Sequence, residues 1–354
     1  MITSYFLGGV SSTGFRSKFF DQLDKPDYYT YILKGGPGTG KSTLMKKIAK
    51  RYGDDCNVDV YYCSSDTSSL DAVVIHDKKI IIADGTAPHV MEAKYPGVSQ
   101  EIVNLGTFWN KQYLKSNAYE IRAVAGRNSA LHAKARRIVT AISSVNDDIK
   151  NTAFNALLTE KLSGYIKRLA KREIPKKSSV ETGSIEYKQV SALTADGYLT
   201  QPLKDTGKTY LLKDDFFAGS DVFLRRVAEI AMNAGYNTEV SECYLFSENI
   251  FEYLFIPELD LKFISSNFIN GVSPEDAKII SFGRFYDNEK LALRKNRLGF
   301  DKRVCGELTA EASLAIGNAL TVHDELEKYY IEALDFESLD AFTKKFIEIG
   351  RAHV

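Results

Sequence analysis

The chain has 354 residues, 46 basic and 46 acidic side chains, and 44% hydrophobic residues. That length suits two domains better than one, and a formal charge of zero leaves no global field to gather nucleic acid or an anionic membrane. Four cysteines without a C-x-x-C pair disfavour a zinc site and a disulfide framework, and fit a reducing compartment.

The start of the chain lacks the basic residues and long apolar core of a signal peptide, and no apolar run is long enough to span a bilayer, so a cytoplasmic location is expected. Residues 5–15 read as a strand followed by a Ser/Thr/Gly turn. Tyr31, Ile32 and Leu33 then form a short apolar run ahead of Gly35-Gly36-Pro37-Gly38-Thr39-Gly40-Lys41-Ser42-Thr43. Gly35, Gly40, Lys41 and Ser42 satisfy the phosphate-loop pattern G-x-x-x-x-G-K-[ST]. Leu44, Met45, Ile48, Ala49 and Tyr52 follow at helical spacing, with basic residues on the opposite face.

The physics explains these residue types. Backbone N–H groups must point inward around phosphates, where a Cβ would block the approach, and the first turn of the next helix supplies further unpaired N–H groups. Lys41 is the expected partner of the β- and γ-phosphates of ATP, and Ser42 of Mg²⁺.

Residues 58–63 read as the next strand, and the polar segment 64–69 as the cap of a short helix over 70–74. The run 79–84 reads as a buried strand ending in Asp84, the expected carboxylate partner of Mg²⁺. Gly85 follows where many ATPases of this class place a glutamate that activates water, and His89 is a candidate base or phosphate contact. Residues 110–172 read as helical, and their basic residues (Arg122, Arg127, Lys134, Arg136, Arg137) suggest either a lid over the nucleotide or a solvated face. The polar stretch 173–188 reads as a linker between a domain at 1–172 and another at 189–354.

Beyond the linker the first half recurs about 180 residues later, a shift that suits a duplicated domain. Tyr210-Leu-Leu-Lys213 parallels Tyr31-Ile-Leu-Lys34, and Leu224-Arg-Arg-Val-Ala228 parallels Met45-Lys-Lys-Ile-Ala49. The phosphate loop is replaced by Asp214-Asp-Phe-Phe-Ala-Gly-Ser-Asp221, and the carboxylate strand ends in Ser265-Ser-Asn267. Asp214, Asp215 and Asp221 are expected to repel a triphosphate, and Phe216 and Phe217 to fill its cradle.

The chain resembles a bacterial group of tandemly duplicated P-loop proteins, described as ATPase-like or nucleotide-kinase-like. The resemblance rests on Leu33 to Thr43, on Asp84-Gly-Thr-Ala-Pro-His89, on Lys94-Tyr-Pro-Gly97, on Asn104-Leu-Gly106 and on the segment from His323 to Glu327. It implies two tandem three-layer α/β domains with parallel sheets and helical insertions. It also implies Mg²⁺-dependent ATP binding, with hydrolysis or phosphoryl transfer to a small-molecule or protein acceptor; the alternative is a nucleotide-dependent interaction protein. Neither a nucleic-acid nor a membrane partner is expected, and an oligomer is compatible with the sequence.

Overall fold

The computed structural model describes residues 1–23, 25, 27–177, 181–203 and 206–348. In chain order come β1 (Ile2–Phe6), a hairpin of β2 (Gly9–Ser11) and β3 (Gly14–Arg16), β4 (Tyr29–Lys34) and α1 (Lys41–Tyr52). They are followed by β5 (Val58–Tyr62), β6 (Leu70–Ile75), β7 (Ile80–Asp84), β8 (Gln100–Asn104), α2 (Lys111–Ser116), α3 (Ala118–Phe154) and α4 (Thr159–Glu173). The same succession then recurs. It runs through β9 (Ile185–Tyr187), the hairpin β10 (Ser191–Thr194) and β11 (Gly197–Thr200), β12 (Lys208–Lys213) and α5 (Ala218–Asn233). It ends with β13 (Thr238–Cys243), β14 (Ile250–Ile256), β15 (Leu261–Ser266), β16 (Lys278–Ser281), α6 (Asn288–Leu293), α7 (Lys295–Glu332) and α8 (Phe336–Phe346).

The strands form two six-stranded sheets with one order, β1-β5-β6-β7-β4-β8 and β9-β13-β14-β15-β12-β16. The mixed α/β class is as expected, but the parallel sheets are not. Each sheet contains one reversed strand, β6 between β5 and β7, and β14 between β13 and β15. The short helix expected over 70–74 is the reversed strand β6 itself. A brief apolar run does not distinguish strand from buried helix by period, and here every residue of β6 is buried.

The three-layer expectation also fails, because the sheets pack on each other. Alternate residues of β4 and β7, Ile32, Ile81 and Ala83, join Leu211, Tyr253, Phe255 and Ile264 of the second sheet in one apolar cluster. Their neighbours Tyr31, Leu33, Ile80 and Ile82 face α1 instead. The result is four layers, helices–sheet–sheet–helices, in which both faces of each central strand are dry. Lys188 and Asp59 form a buried ion pair across the sheet contact, with the Lys188 ammonium 4.9 Å from the Tyr5 ring centroid. Burial raises the Asp59 carboxyl, but Lys188 and His76 outweigh it and hold it below the usual carboxylate range.

The outer layers are exchanged between the halves. Leu162, Ile166 and Leu169 of α4 pack in the core of the second sheet with Leu224, Val227 and Leu254. Phe346 of α8 packs in the core of the first with Tyr31, Leu44 and Ile48, and the Tyr52 hydroxyl donates to the Ile347 carbonyl at 3.0 Å. The 37-residue α3 and the 38-residue α7 run antiparallel and carry the chain to these exchanged positions. Small residues at their contact, Ala135, Ala312 and Ala315, are fully buried. The basic residues read as either a lid or a solvated face lie along this pair: Arg127 bonds Glu325 at 2.5 Å and Lys134 bonds Glu311 at 2.6 Å. Arg122, Arg136 and Arg137 are exposed.

Of the linker expected over 173–188, residues 178–180 lie outside the described residues, while 185–187 form β9, an edge strand of the second sheet.

Helix exchange carries a direct consequence. Leu162→Ala should cost about 2–5 kcal/mol of stability, the range for deleting a buried leucine side chain. By hydrogen exchange, the loss should appear in α5 and β12, not in α1 and β4, although residue 162 precedes the second sheet in the chain.

Candidate functional site

The glycine-rich loop joins β4 to α1, at the carboxyl end of a strand flanked by two parallel neighbours, β7 and β8. Gly38 and Gly40 have φ of +66° and +80°, where a side chain would be strained. The Thr39 hydroxyl donates to the Gly36 carbonyl at 2.8 Å and fixes the turn. A Cβ at Gly35 would lie 2.7 Å from that hydroxyl. Pro37, without an N–H, occupies the turn, and Thr43 is an exposed first-turn residue of α1.

Lys41 folds back along the loop. Its ammonium donates to the carbonyls of Gly35 (2.9 Å) and Gly36 (2.8 Å) and lies 3.6 Å from Asp84 Oδ2. Asp84 stands beside Leu33 in the parallel register, which brings the carboxylate to the loop. Its other oxygen accepts from the Thr86 N–H (2.9 Å) and hydroxyl (2.6 Å). The Ser42 hydroxyl oxygen accepts from the Leu70 N–H at 3.0 Å. The sequence-derived pair Lys41 and Asp84 is therefore in contact, with Ser42 one residue on at the start of α1.

His89 is placed otherwise. It is 4% exposed, Nδ1 is 3.0 Å from the Asp84 carbonyl, and Nε2 is 3.3 Å from an Asp71 carboxylate oxygen. Both neighbours offer acceptor oxygens, which favours a proton on each ring nitrogen and suits neither to act as a base. Burial works against that charge, but the Asp71 carboxylate outweighs it and raises the histidine above its ordinary value. His89 thus braces the backbone of Asp84 from behind. Asp71 lies in the segment expected to be a helix, where nothing marks it as a partner of His89. It is the extra residue of a bulge, between Leu70 paired with Tyr62 and Ala72 paired with Tyr61. The second sheet repeats the bulge with Glu252, whose burial pushes its carboxyl up to about 7.

The loop is covered by the far end of α7 and by α8. The Gly38 N–H donates to Glu327 Oε1 at 3.1 Å. The Tyr330 ring leaves 2.8 Å to a Cβ at Gly36, Ile331 leaves 2.8 Å at Gly38, and Leu339 leaves 3.3 Å at Gly40. His323, 3.5 Å away, and the Gly38 N–H hold the Glu327 carboxyl below its usual range. Glu327 was noted in the sequence only as part of a repeated helical segment; nothing in its spacing points 289 residues back to the loop.

The matching loop of the second half is closed by its own residues. Asp214, buried, accepts from the Ser220 N–H at 2.8 Å and from the Tyr286 hydroxyl at 2.9 Å. Phe217 has φ of +64° in the place of Gly38 and packs on Phe246 and Phe268. The expected cluster of three repelling acids is absent. Asp221 pairs with Lys150 and Arg225, and Asp215 with Lys302.

No family model, curated protein or solved structure matches the chain. No described helix is long and apolar enough to cross a membrane, and no three metal-ligating side chains cluster among the described residues.

The His89 geometry fixes a pH dependence. A raised folded value means its contribution is complete below the unfolded value of about 6.5 and is lost as pH rises through the folded value. The melting-temperature gap between wild type and His89→Gln should therefore narrow from acid toward alkaline pH; a gap that widens would reverse the assignment.

Proposed function

We propose that the chain binds Mg²⁺·ATP on residues 35–43 and uses it for slow hydrolysis or phosphoryl transfer to an acceptor. The observation that carries this reading is the seating of a carboxylate oxygen on the Gly38 N–H, in the same loop whose Lys41 lies 3.6 Å from Asp84. A loop amide that takes a negative oxygen there is one of the donors a phosphate requires.

The donor set suits both groups. Gly35, Gly36, Gly38 and Gly40 keep side chains out of the cradle. Lys41 needs only to exchange two carbonyl acceptors for phosphate oxygens. Ser42 retains a lone pair beyond its bond from Leu70, and Asp84 has Oδ2 directed to Lys41, so these two would hold Mg²⁺. Bound there, the ion would neutralise charge on the β- and γ-phosphates. Catalysis by this chain's own groups is positioning and charge stabilisation by loop amides and Lys41.

Fast hydrolysis is disfavoured by Gly85. A Cβ there would lie 2.4 Å from Ile32 Cγ2 in the core, so no residue with a side chain, glutamate included, fits directly after Asp84. The runner-up reading, a nucleotide-dependent interaction protein, is favoured by one observation. The helix covering the loop, α7, also packs in the core beside the second sheet, so an event at the loop has a mechanical route to it.

Calorimetry with Mg²⁺·ATP separates these claims. Lys41→Ala should remove detectable binding, with some loss of melting temperature because Asp84 and two loop carbonyls lose the ammonium, and undiminished affinity would sink the site. Asp84→Asn should retain the fold and lose the dependence of turnover on Mg²⁺.

A further inference from the structure

We propose that Glu327 is a displaceable internal anion, which occupies the phosphate position of the loop and latches α7 over it until nucleotide takes its place. The inference rests on the ATP-binding reading above and goes beyond it, since it assigns the residue that competes with the ligand and the element that moves.

Glu327, Tyr330 and Ile331 lie at i, i+3 and i+4, on one face of α7. All three meet the loop: the carboxylate on the Gly38 N–H, the tyrosine ring against Gly36 and the isoleucine against Gly38. These glycines must be cleared for a phosphate to reach the amides. A triphosphate and this helical face therefore exclude each other by both volume and charge. The second half supplies an internal comparison. There a carboxylate accepts from the Ser220 amide in the first turn of α5, but it comes from the loop itself, as Asp214 held by Tyr286. That carboxylate is 2% exposed and cannot leave without unpacking its surroundings. Glu327 comes from a separate helix, is about one third exposed, and retains His323 as a partner when released. One loop is sealed, and its counterpart is latched.

The contact between Tyr330 and Trp109, with ring centroids 5.3 Å apart, gives a signal, because Trp109 is the single tryptophan of the chain. Release of α7 moves Tyr330 off Gly36 and changes the surroundings of that indole.

The test is titration of full-length wild type, Glu327→Ala and Glu327→Gln with Mg²⁺·ATP, followed by Trp109 emission and by calorimetry. Both variants should bind ATP more tightly than wild type, by roughly fivefold or more, as for a removed competing equilibrium. Wild type should show an emission change on saturation. Equal or weaker affinity in the variants overturns the latch and leaves the ATP site standing. Binding by wild type without any change in emission also overturns it. Absence of binding in all three proteins overturns the ATP reading and the latch together. Should Glu327→Ala not fold, Glu327→Gln, which keeps the side-chain volume and an acceptor, decides the matter.

Discussion

Each sheet is closed on its outer face by a helix that the chain delivers from the other half. The constraint is apolar burial. The β4 and β12 faces that meet α1 and α5 are only partly covered by those helices, and the remainder is filled by Phe346 from α8 and by Leu162 and Ile166 from α4. Burial of such side chains contributes about 1.5–3 kcal/mol each, so neither sheet is closed by its own chain segment. The antiparallel α3–α7 pair is the physical result, because α4 and α8 reach their places only if the preceding helices cross the molecule. That crossing brings Glu327, Tyr330 and Ile331 onto a loop nearly 300 residues earlier.

The same constraint links the two loops. Both follow a central strand, both turn through a residue of positive φ, and both present amides at the start of a helix that faces the sheet. Unpaired amides at a partly dry helix start are costly, and a carboxylate is the strongest protein acceptor available. The second loop satisfies them permanently with Asp214. The first has glycine at that place, and it is the Gly38 amide of the loop that takes an acceptor from α7, Glu327. The two loops thus take a carboxylate acceptor from different places, the second from its own residues and the first, on its Gly38 amide, from a neighbouring helix. Beneath the first loop, Asp71 and His89 hold the backbone of Asp84 while the carboxylate itself stays at the loop.

The loop, its strand and its helix were legible in the sequence because all the information is local. Glycines at fixed offsets, an apolar run and a helical period lie within two dozen residues. Asp84 was legible for the same reason, through a strand that ends in an acid. The recurrence of elements was legible in paired segments such as 31–34 and 210–213. What the sequence concealed is non-local or shares a pattern with something else. The β6 segment 70–75 has no period that separates strand from helix, so the reversed strand and its bulged Asp71 were missed. Back-to-back sheets leave central strands uniformly apolar, as helices on both faces would, so the layer count was open to misreading. The placing of α4 and α8 depends on which of two similar apolar faces each helix joins. His89 looked like a catalytic candidate because its type and neighbourhood fit; its two acceptor partners are visible only in three dimensions.

On the proposal above, nucleotide at the first loop competes with a residue of the second half, Glu327. Hydrogen–deuterium exchange of the full chain with and without Mg²⁺·ATP tests it most directly. Added protection is expected over residues 35–43, together with faster exchange over 327–339, where α7 and α8 give up the loop. Unchanged exchange in both segments at saturating nucleotide would contradict it.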